Sequence, residues 1–236
     1  MMRKLGIIGA MKEEVALLQE KLERPAVTRR AGMDFWDGVL CGLPVTVVQS
    51  GIGKVNAALC VQVLADLYGV THVVNTGVAG SLDPALDIGD VAISSEAMYH
   101  DIFTGPLGDP RGQVPGMDVK AFPADPELMA LTQGACQVLN LPYRVGRIVS
   151  GDQFIWERAV KEDILNACGG ICVEMEGAAI AHAAYRNQLP VVIVRAISDK
   201  ADDSATMDYQ AFEDMAARNS ARLTEALAAA LAEIPD

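Results

Sequence analysis

The sequence predicts an α/β protein built on a mostly parallel sheet, and three observations carry that expectation. Short β-rich runs recur, and they are nearly continuous in apolar residues rather than alternating, as strands buried on both faces are. Segments with a helical apolar stripe lie between several of them. Glycines punctuate the passages from strand to helix. Such alternation is satisfied by a sheet covered on both faces and wound with right-handed crossovers.

In chain order, the predicted strands are LGIIG (5–9), PVTVVQS (44–50), HVVNTG (72–77), DVAISS (90–95), RIVSG (147–151), GICVEM (170–175) and PVVIVRAIS (190–198). The first predicted helix, 12–22, puts Val15, Leu18 and Leu22 on one face. The next, 54–68, follows a Gly turn. Helices are also expected over 126–139, 157–167 and 176–186. The last, 209–232, aligns Phe212, Met215, Ala216, Leu223 and Leu227 in one stripe. GPLGDPRGQVPG (105–116) carries seven Gly or Pro in twelve residues, so neither a regular helix nor a central strand is expected there. A long loop of this kind is a lid, a binding loop, an interface or a plain surface excursion. No repeat or low-complexity linker divides the chain, and one domain over 1–236 is expected.

The charge balance is acidic, 19 basic against 31 acidic residues for a net −12. No basic tract is present, which argues against nucleic acid or an anionic membrane as partner. The five cysteines are odd in number and lack C-x-x-C spacing, so neither a disulfide framework nor a zinc site is expected. His72, His100 and His182 have no ligand spacing. The N-terminus becomes charged before a signal-peptide core could form, and no apolar run reaches the roughly 18 residues of a membrane span. The expectation is a soluble, cytoplasmic protein without metal or cofactor.

Two glycine turns, GIIGA and SGIGKVNAA, resemble nucleotide motifs superficially. Neither is G-x-G-x-x-G with a following acidic residue, and Val55 stands where a Walker loop needs Ser or Thr. Such turns can still present backbone N–H groups at a helix N-terminus. There is no G-x-S-x-G elbow.

The carboxylates carry more information. Ligands of parallel α/β sheets bind beyond the C-terminal ends of the strands. Glu13 and Glu14 follow the first strand, Asp101 and Asp152 lie beyond two others, Glu174 and Glu176 end GICVEM, and Asp199 follows PVVIVRAIS. A single one of these is ordinarily a cap, a turn former or a first-turn charge. Glu174 lies inside an apolar run and needs a partner, and Arg195 in a buried strand needs an acidic one. Several carboxylates converging without histidine ligands suggest acid–base chemistry on a neutral or cationic centre.

GIIGAMKEEV, SGIGKVNAA, NTGVAGSLDP, IVSGDQFI, VEMEGAAIA and VRAISD, in this order from Gly6 to Phe212, closely resemble the 5′-methylthioadenosine/S-adenosylhomocysteine nucleosidases of the purine nucleoside phosphorylase/nucleosidase superfamily. The resemblance implies a twisted, largely parallel mixed sheet curling into a partial barrel flanked by helices. It also implies a homodimer, a part in methionine salvage, and hydrolysis of the adenine–ribose bond. By position, Asp199 resembles the acid that protonates adenine N7. Glu14 resembles the base on the attacking water, assisted by Arg195, and Glu176 the group that bonds the ribose hydroxyls. Met175 and Met11 would pack on the sugar and Phe154 on adenine. The Ile155 backbone would read the edge of the base, and Tyr209 would stand near the 5′ pocket. Ile52, Val78, Glu174 and Ser198 complete the implied substrate contacts, with Glu174 the more structural of the two glutamates. Glu176 is expected to be buried only beneath a bound substrate.

The sequence departs from the family at two places. Val78 stands where many relatives have serine, which removes any hydroxyl contact there. In HDIFTGPLGDPRGQVPG, Leu107 takes an aromatic position, Thr104 an aliphatic one and Asp109 a tyrosine position. In the family this loop helps form the 5′ pocket, so Thr104, Leu107, Arg111 and Pro115 are its candidate lining. Arg111 is either a partner for a carboxylate on the 5′ arm, as in S-adenosylhomocysteine or aminodeoxyfutalosine, or a solvated charge. The alternatives are a hydrolase of aminodeoxyfutalosine or another adenine nucleoside, a phosphorylase, and a binding protein without catalysis. Glu14 would repel phosphate beside the sugar, which favours water.

Overall fold

The computed structural model describes residues 3–234. Its strands are β1 (Leu5–Gly9), β2 (Glu23–Arg30), β3 (Met33–Leu40), β4 (Leu43–Gln49), β5 (His72–Ser81), β6 (Val91–Tyr99), β7 (Phe122–Pro123), β8 (Tyr143–Ser150), β9 (Cys172–Glu174) and β10 (Val191–Asp199). Its helices are α1 (Lys12–Glu20), α2 (Lys54–Val63, prolonged by a π turn over Leu64–Tyr68), α3 (Pro126–Leu139), α4 (Arg158–Cys168), α5 (Gly177–Arg186) and α6 (Ala205–Ala232).

The strands run in the order β10-β6-β8-β9-β5-β1-β4-β3-β2, and β10 also pairs with β5. That extra pairing closes β5, β10, β6, β8 and β9 into a five-stranded barrel, from which β1, β4, β3 and β2 extend. The expected mixed sheet curling into a barrel is thus observed, with its ring of five strands closed. Pairing is mixed: β1–β5, β10–β5, β6–β8 and β8–β9 are parallel, whereas β10–β6 and β5–β9 are antiparallel.

All seven expected strands form, with shifted ends. GICVEM contributes only Cys172–Glu174, after which Glu176 becomes the N-cap of α5. The predicted apolar runs are the barrel and its neighbour strands, and these are buried along nearly their full length. The hairpin β2–β3 was not expected. Its outer strand ERPAVTRR is exposed almost throughout, and in β3 only Met33, Phe35 and Leu40 are buried. Neither segment reads as an apolar run, because ERPAVTRR is the exposed edge strand and β3, between it and β4, buries only three of its eight residues. The turns are Ala31–Gly32 and Cys41–Gly42, with both residues of each at positive φ, as two-residue hairpins demand.

Helices α2 and α5 cover one side of the sheet, and α1, α3 and α6 the other. Ala178, Ala179, Ala181 and Ala184 of α5 are buried and let that helix lie close to β10; a Cβ at Gly177 would meet Ile193 Cγ2 at 2.9 Å. Along α6, Ala216, Leu223 and Leu227 are buried as the stripe requires, Met215 is half-buried, and Phe212 is exposed. Phe212 lies in the first turns of α6, where Ala205 alone is buried before Ala216. The 105–116 loop contains a single 3-10 turn, Gly105–Leu107.

Candidate active site

The C-terminal ends of β1, β5, β9 and β10 meet at one cavity of about 380 Å³. Its walls include Met11, Glu14, Ile52, Val78, Phe154, Glu174, Met175, Glu176, Ser198, Asp199 and Tyr209. Ala10, Ala79, Gly80 and Val173 complete the lining. Residues spread over almost two hundred positions of sequence therefore share one crevice, and four of them are carboxylates. No basic side chain lines it among the described residues.

Glu14 enters from the first turn of α1 and is 2% exposed. Its Oε2 accepts the Ala10 and Met11 N–H groups at 2.6 and 3.0 Å, and its Oε1 accepts the Val78 N–H at 3.1 Å. Burial raises its pKa, against the pull of Arg195 and these three backbone donors. The contact at position 78 is made by the backbone, so valine in place of serine leaves it intact.

Arg195 lies under the crevice, 1% exposed. Its Nη2 donates to Glu174 Oε2 and, at 2.5 Å, to Asn75 Oδ1, and it stands 3.6 Å from Glu176 Oε2. A Cβ at Gly77 would overlap both Arg195 Nη1 and Glu14 Oε1, so only glycine lets the guanidinium and this carboxylate approach the same point of β5. The surrounding glutamates hold the guanidinium firmly protonated.

Glu174 is engaged on all sides. It takes the Arg195 guanidinium, the Ser150 hydroxyl and the N–H groups of Glu176 and Gly177 at 3.1 and 2.8 Å. It borders the cavity as expected of a lining residue, and its oxygens are bonded to protein donors. Glu176 is 5% exposed with the cavity open, so its expected burial only under substrate is corrected. Its Oε1 accepts the Gly53 N–H at 2.9 Å, across from the N-terminus of α2. Burial and the neighbouring Glu174 charge push its pKa up to about 7, Arg195 notwithstanding.

Asp199 closes β10 after a bulge: Ile197 pairs with Ala79 and Asp199 with Gly80, leaving Ser198 as the extra residue. Bulges of this kind re-aim a side chain. Ser198 Oγ donates to Asp199 Oδ2 at 2.9 Å, and the Ala201 N–H to Oδ1 at 2.8 Å. Burial raises the Asp199 pKa. A carboxyl so placed is suited to hold a proton and deliver it.

The mouth is apolar. Phe154 and Tyr209 meet edge to face at 5.6 Å between centroids, and the Tyr209 hydroxyl reaches Met11 Sδ and Glu213 Oε1 at 3.3 and 2.7 Å. Phe154 and Ile52 remain about half exposed. Ile155 is buried and borders a small annex of the cavity with Gly80, Met175 and Asp199.

The four loop candidates do not reach the cavity of this chain. Thr104 Oγ1 donates to Asp109 Oδ2 at 3.0 Å, and Leu107 and Pro115 are exposed. Arg111 donates to the His100 carbonyl at 2.7 Å and to the Asp163 carboxylate. It is neither a free solvated charge nor poised over the crevice. Glu13 is exposed on α1. Asp101 and Asp152 staple the α2 N-terminus to two loops, through Lys54 Nζ at 2.5 Å and Lys54 N–H at 2.9 Å. Sequence reasoning missed Asn75 and Ser150, which bond Arg195 and Glu174, and Gly77, whose missing Cβ leaves room for Arg195 and Glu14. A buried asparagine in HVVNTG was the readable signal.

Fold and crevice together define a member of the Phosphorylase superfamily: that family's pattern matches residues 4–231, and the chain belongs to it. Within it, the chain is 41% identical over 228 residues to the 5′-methylthioadenosine/S-adenosylhomocysteine nucleosidase of Staphylococcus aureus (strain MRSA252), covering 96% of this chain and all of that protein. Among solved structures it matches the Neisseria meningitidis enzyme of the same name, in complex with methylthio-immucillin-A, with a TM-score of 0.94 and 33% identity over 97% of this chain and 99% of that one. The futalosine hydrolase of Helicobacter pylori matches with a TM-score of 0.91 and 31% identity, over 95% and 97% of the two chains.

Proposed function

We propose that the protein hydrolyses the N-glycosidic bond of 5′-methylthioadenosine and S-adenosylhomocysteine, giving adenine and the 5-thio-substituted ribose. The observation that carries this reading is the placement of Asp199 and Glu14 on one cavity, each buried and each raised in pKa, with Glu176 between the strand ends.

Asp199 serves as the acid. As the C1′–N9 bond breaks, its electron pair enters the purine, and Asp199 gives its proton to N7. The leaving group is then neutral adenine rather than its anion, and a positioned acid of this kind contributes about 10²–10⁴ in rate. Positive charge develops at C1′, and the carboxylates of Glu14 and Glu176 stabilise it. Glu14 orients a water and takes its proton as oxygen bonds to C1′. Three backbone donors and Arg195 favour the ionised form of Glu14 and offset part of the cost of burial. Glu176, fixed by Gly53, bonds the ribose hydroxyls. Met11 and Met175 pack on the sugar, and Phe154 and Ile155 hold the base.

Water rather than phosphate is favoured because four carboxylates and no cation line the cavity among the described residues. A phosphate beside the sugar would meet repulsion without compensation. The aminodeoxyfutalosine alternative loses its chief support, since Arg111 is held by Asp163 and His100. We further propose a cytoplasmic homodimer acting in methionine salvage. Ile52, Val55 and Leu59 share one exposed face where α2 begins, and Phe103 and Leu107 are also exposed, as a covered interface would require.

The test is adenine release from methylthioadenosine, S-adenosylhomocysteine, aminodeoxyfutalosine and adenosine in phosphate-free buffer. Preference for the two thio-nucleosides is expected. Preference for aminodeoxyfutalosine or adenosine would replace the substrate assignment, and no release from any would leave a binding protein.

A further inference from the structure

Lys161 belongs to the first turn of α4 and is half-buried. A lysine at a helix N-terminus opposes the helix dipole. α4 has no acidic residue in its first turn to offset it, and no carboxylate forms an ion pair with Lys161 among the described residues. Its Nζ instead donates to two carbonyls, Ser81 O at 2.9 Å and Lys200 O at 2.6 Å.

Both acceptors belong to the frame of Asp199. Ser81 ends β5, one residue after Gly80, whose backbone is so near that a Cβ there would lie 2.7 Å from Asp199 Oδ1. The Lys200 carbonyl and the Ala201 N–H are the two ends of one peptide group. That N–H donates to Asp199 Oδ1 at 2.8 Å. A single peptide therefore accepts from Lys161 and donates to Asp199. Ala201 itself is fully buried at φ 50, a left-handed conformation that L-residues rarely adopt and that persists only where neighbours impose it.

We propose that Lys161 is a positioning residue for the acid: it clamps the Lys200–Ala201 peptide and so fixes the Asp199 carboxyl toward the base. The inference rests on Asp199 being the acid, as proposed above. Hydrogen bonds in series strengthen one another, so the ammonium also makes the Ala201 N–H a better donor. The other charges around Lys161 are Asp199 and Asp202, which favour its ammonium, and Lys200 and Arg158, which oppose it. Around Asp199, Asp202 and Asp208 disfavour ionisation. Loss of the Lys161 cation would raise the Asp199 pKa further, by weakening its donor and removing a positive charge.

The experiment compares wild type, Lys161→Met, Lys161→Arg and Asp199→Asn on methylthioadenosine, measuring kcat and KM across pH. For Lys161→Met, the plateau kcat should fall about tenfold, the scale of one charge-assisted hydrogen bond. KM should change less than about twofold, since uniform binding is untouched. The alkaline limb of kcat should move to higher pH, which a loss of folded protein cannot produce. Lys161→Arg should restore most of the rate. If Lys161→Met yields no folded protein, Lys161→Gln, which keeps an N–H donor, is read in its place, with a smaller change in the same directions. Wild-type kcat with an unmoved alkaline limb in these variants would overturn the proposal. Wild-type turnover by Asp199→Asn would instead remove the acid assignment beneath it.

Discussion

Arg195 and Glu174 form an ion pair sealed under the crevice, with side chains 1% and 3% exposed, and the other two glutamates of the site are arranged around that pair. Glu176 stands beside it, and Glu14 feels the same guanidinium. Removing one member of a buried pair leaves the other uncompensated, at a cost of about 3–5 kcal/mol. Glu174→Ala should therefore lower the melting temperature by roughly 10 °C, given about 2–4 °C per kcal/mol at this chain length. A thermal melt within 2 °C or so of wild type would show that the pair is not structural.

The chemistry falls on two other carboxylates. Asp199→Asn and Glu14→Gln should each reduce kcat by about 10²–10⁴ while the fold is retained. Both pKa values are raised, but the two groups act in opposite protonation states, so the effects of pH oppose one another. Activity needs Asp199 protonated and is lost as pH rises through its raised pKa. It needs Glu14 ionised and is lost as pH falls through its own. The pH–kcat profile should thus carry two limbs, and Asp199→Asn should lose the alkaline one.

Glu176→Gln should raise KM and sharply lower kcat, since an amide cannot accept from two ribose hydroxyls as a carboxylate does. It should also change stability in a pH-dependent way. Between the ordinary carboxylate value of 4.5 and about 7, folded Glu176 keeps a proton that the unfolded chain releases. Its contribution is full below 4.5 and is lost as pH rises through about 7. The variant should therefore gain stability over wild type at pH above 7 and not below 4.5. Denaturant melts at both ends read this directly; an equal effect at the two pH values would contradict the assigned shift.

Val78→Ser should change kcat/KM by less than about threefold, because position 78 reaches Glu14 through its N–H at 3.1 Å. A larger gain on restoring serine would mean that the hydroxyl, not the backbone, matters there.

The sheet strands and their flanking helices were legible because strands buried on both faces write themselves as apolar runs, and PVVIVRAIS and HVVNTG are such runs, whereas the curl into a barrel was implied only by the family resemblance. The hairpin β2–β3 was not, because ERPAVTRR buries almost nothing. The convergence of Glu14, Glu176 and Asp199 followed from strand ends plus resemblance. The committed bonding of Glu174, the turn of Arg111 toward Asp163 and the reach of Lys161 to the Lys200 carbonyl did not follow. Those depend on which atoms meet across the fold, and residue spacing carries no trace of that.

The central claim is that water takes the sugar. The measurement is the identity of the ribose product from methylthioadenosine with and without saturating inorganic phosphate. The account predicts free 5-methylthioribose and the same rate of adenine release in both. Formation of 5-methylthioribose 1-phosphate, or turnover that requires phosphate, would contradict it.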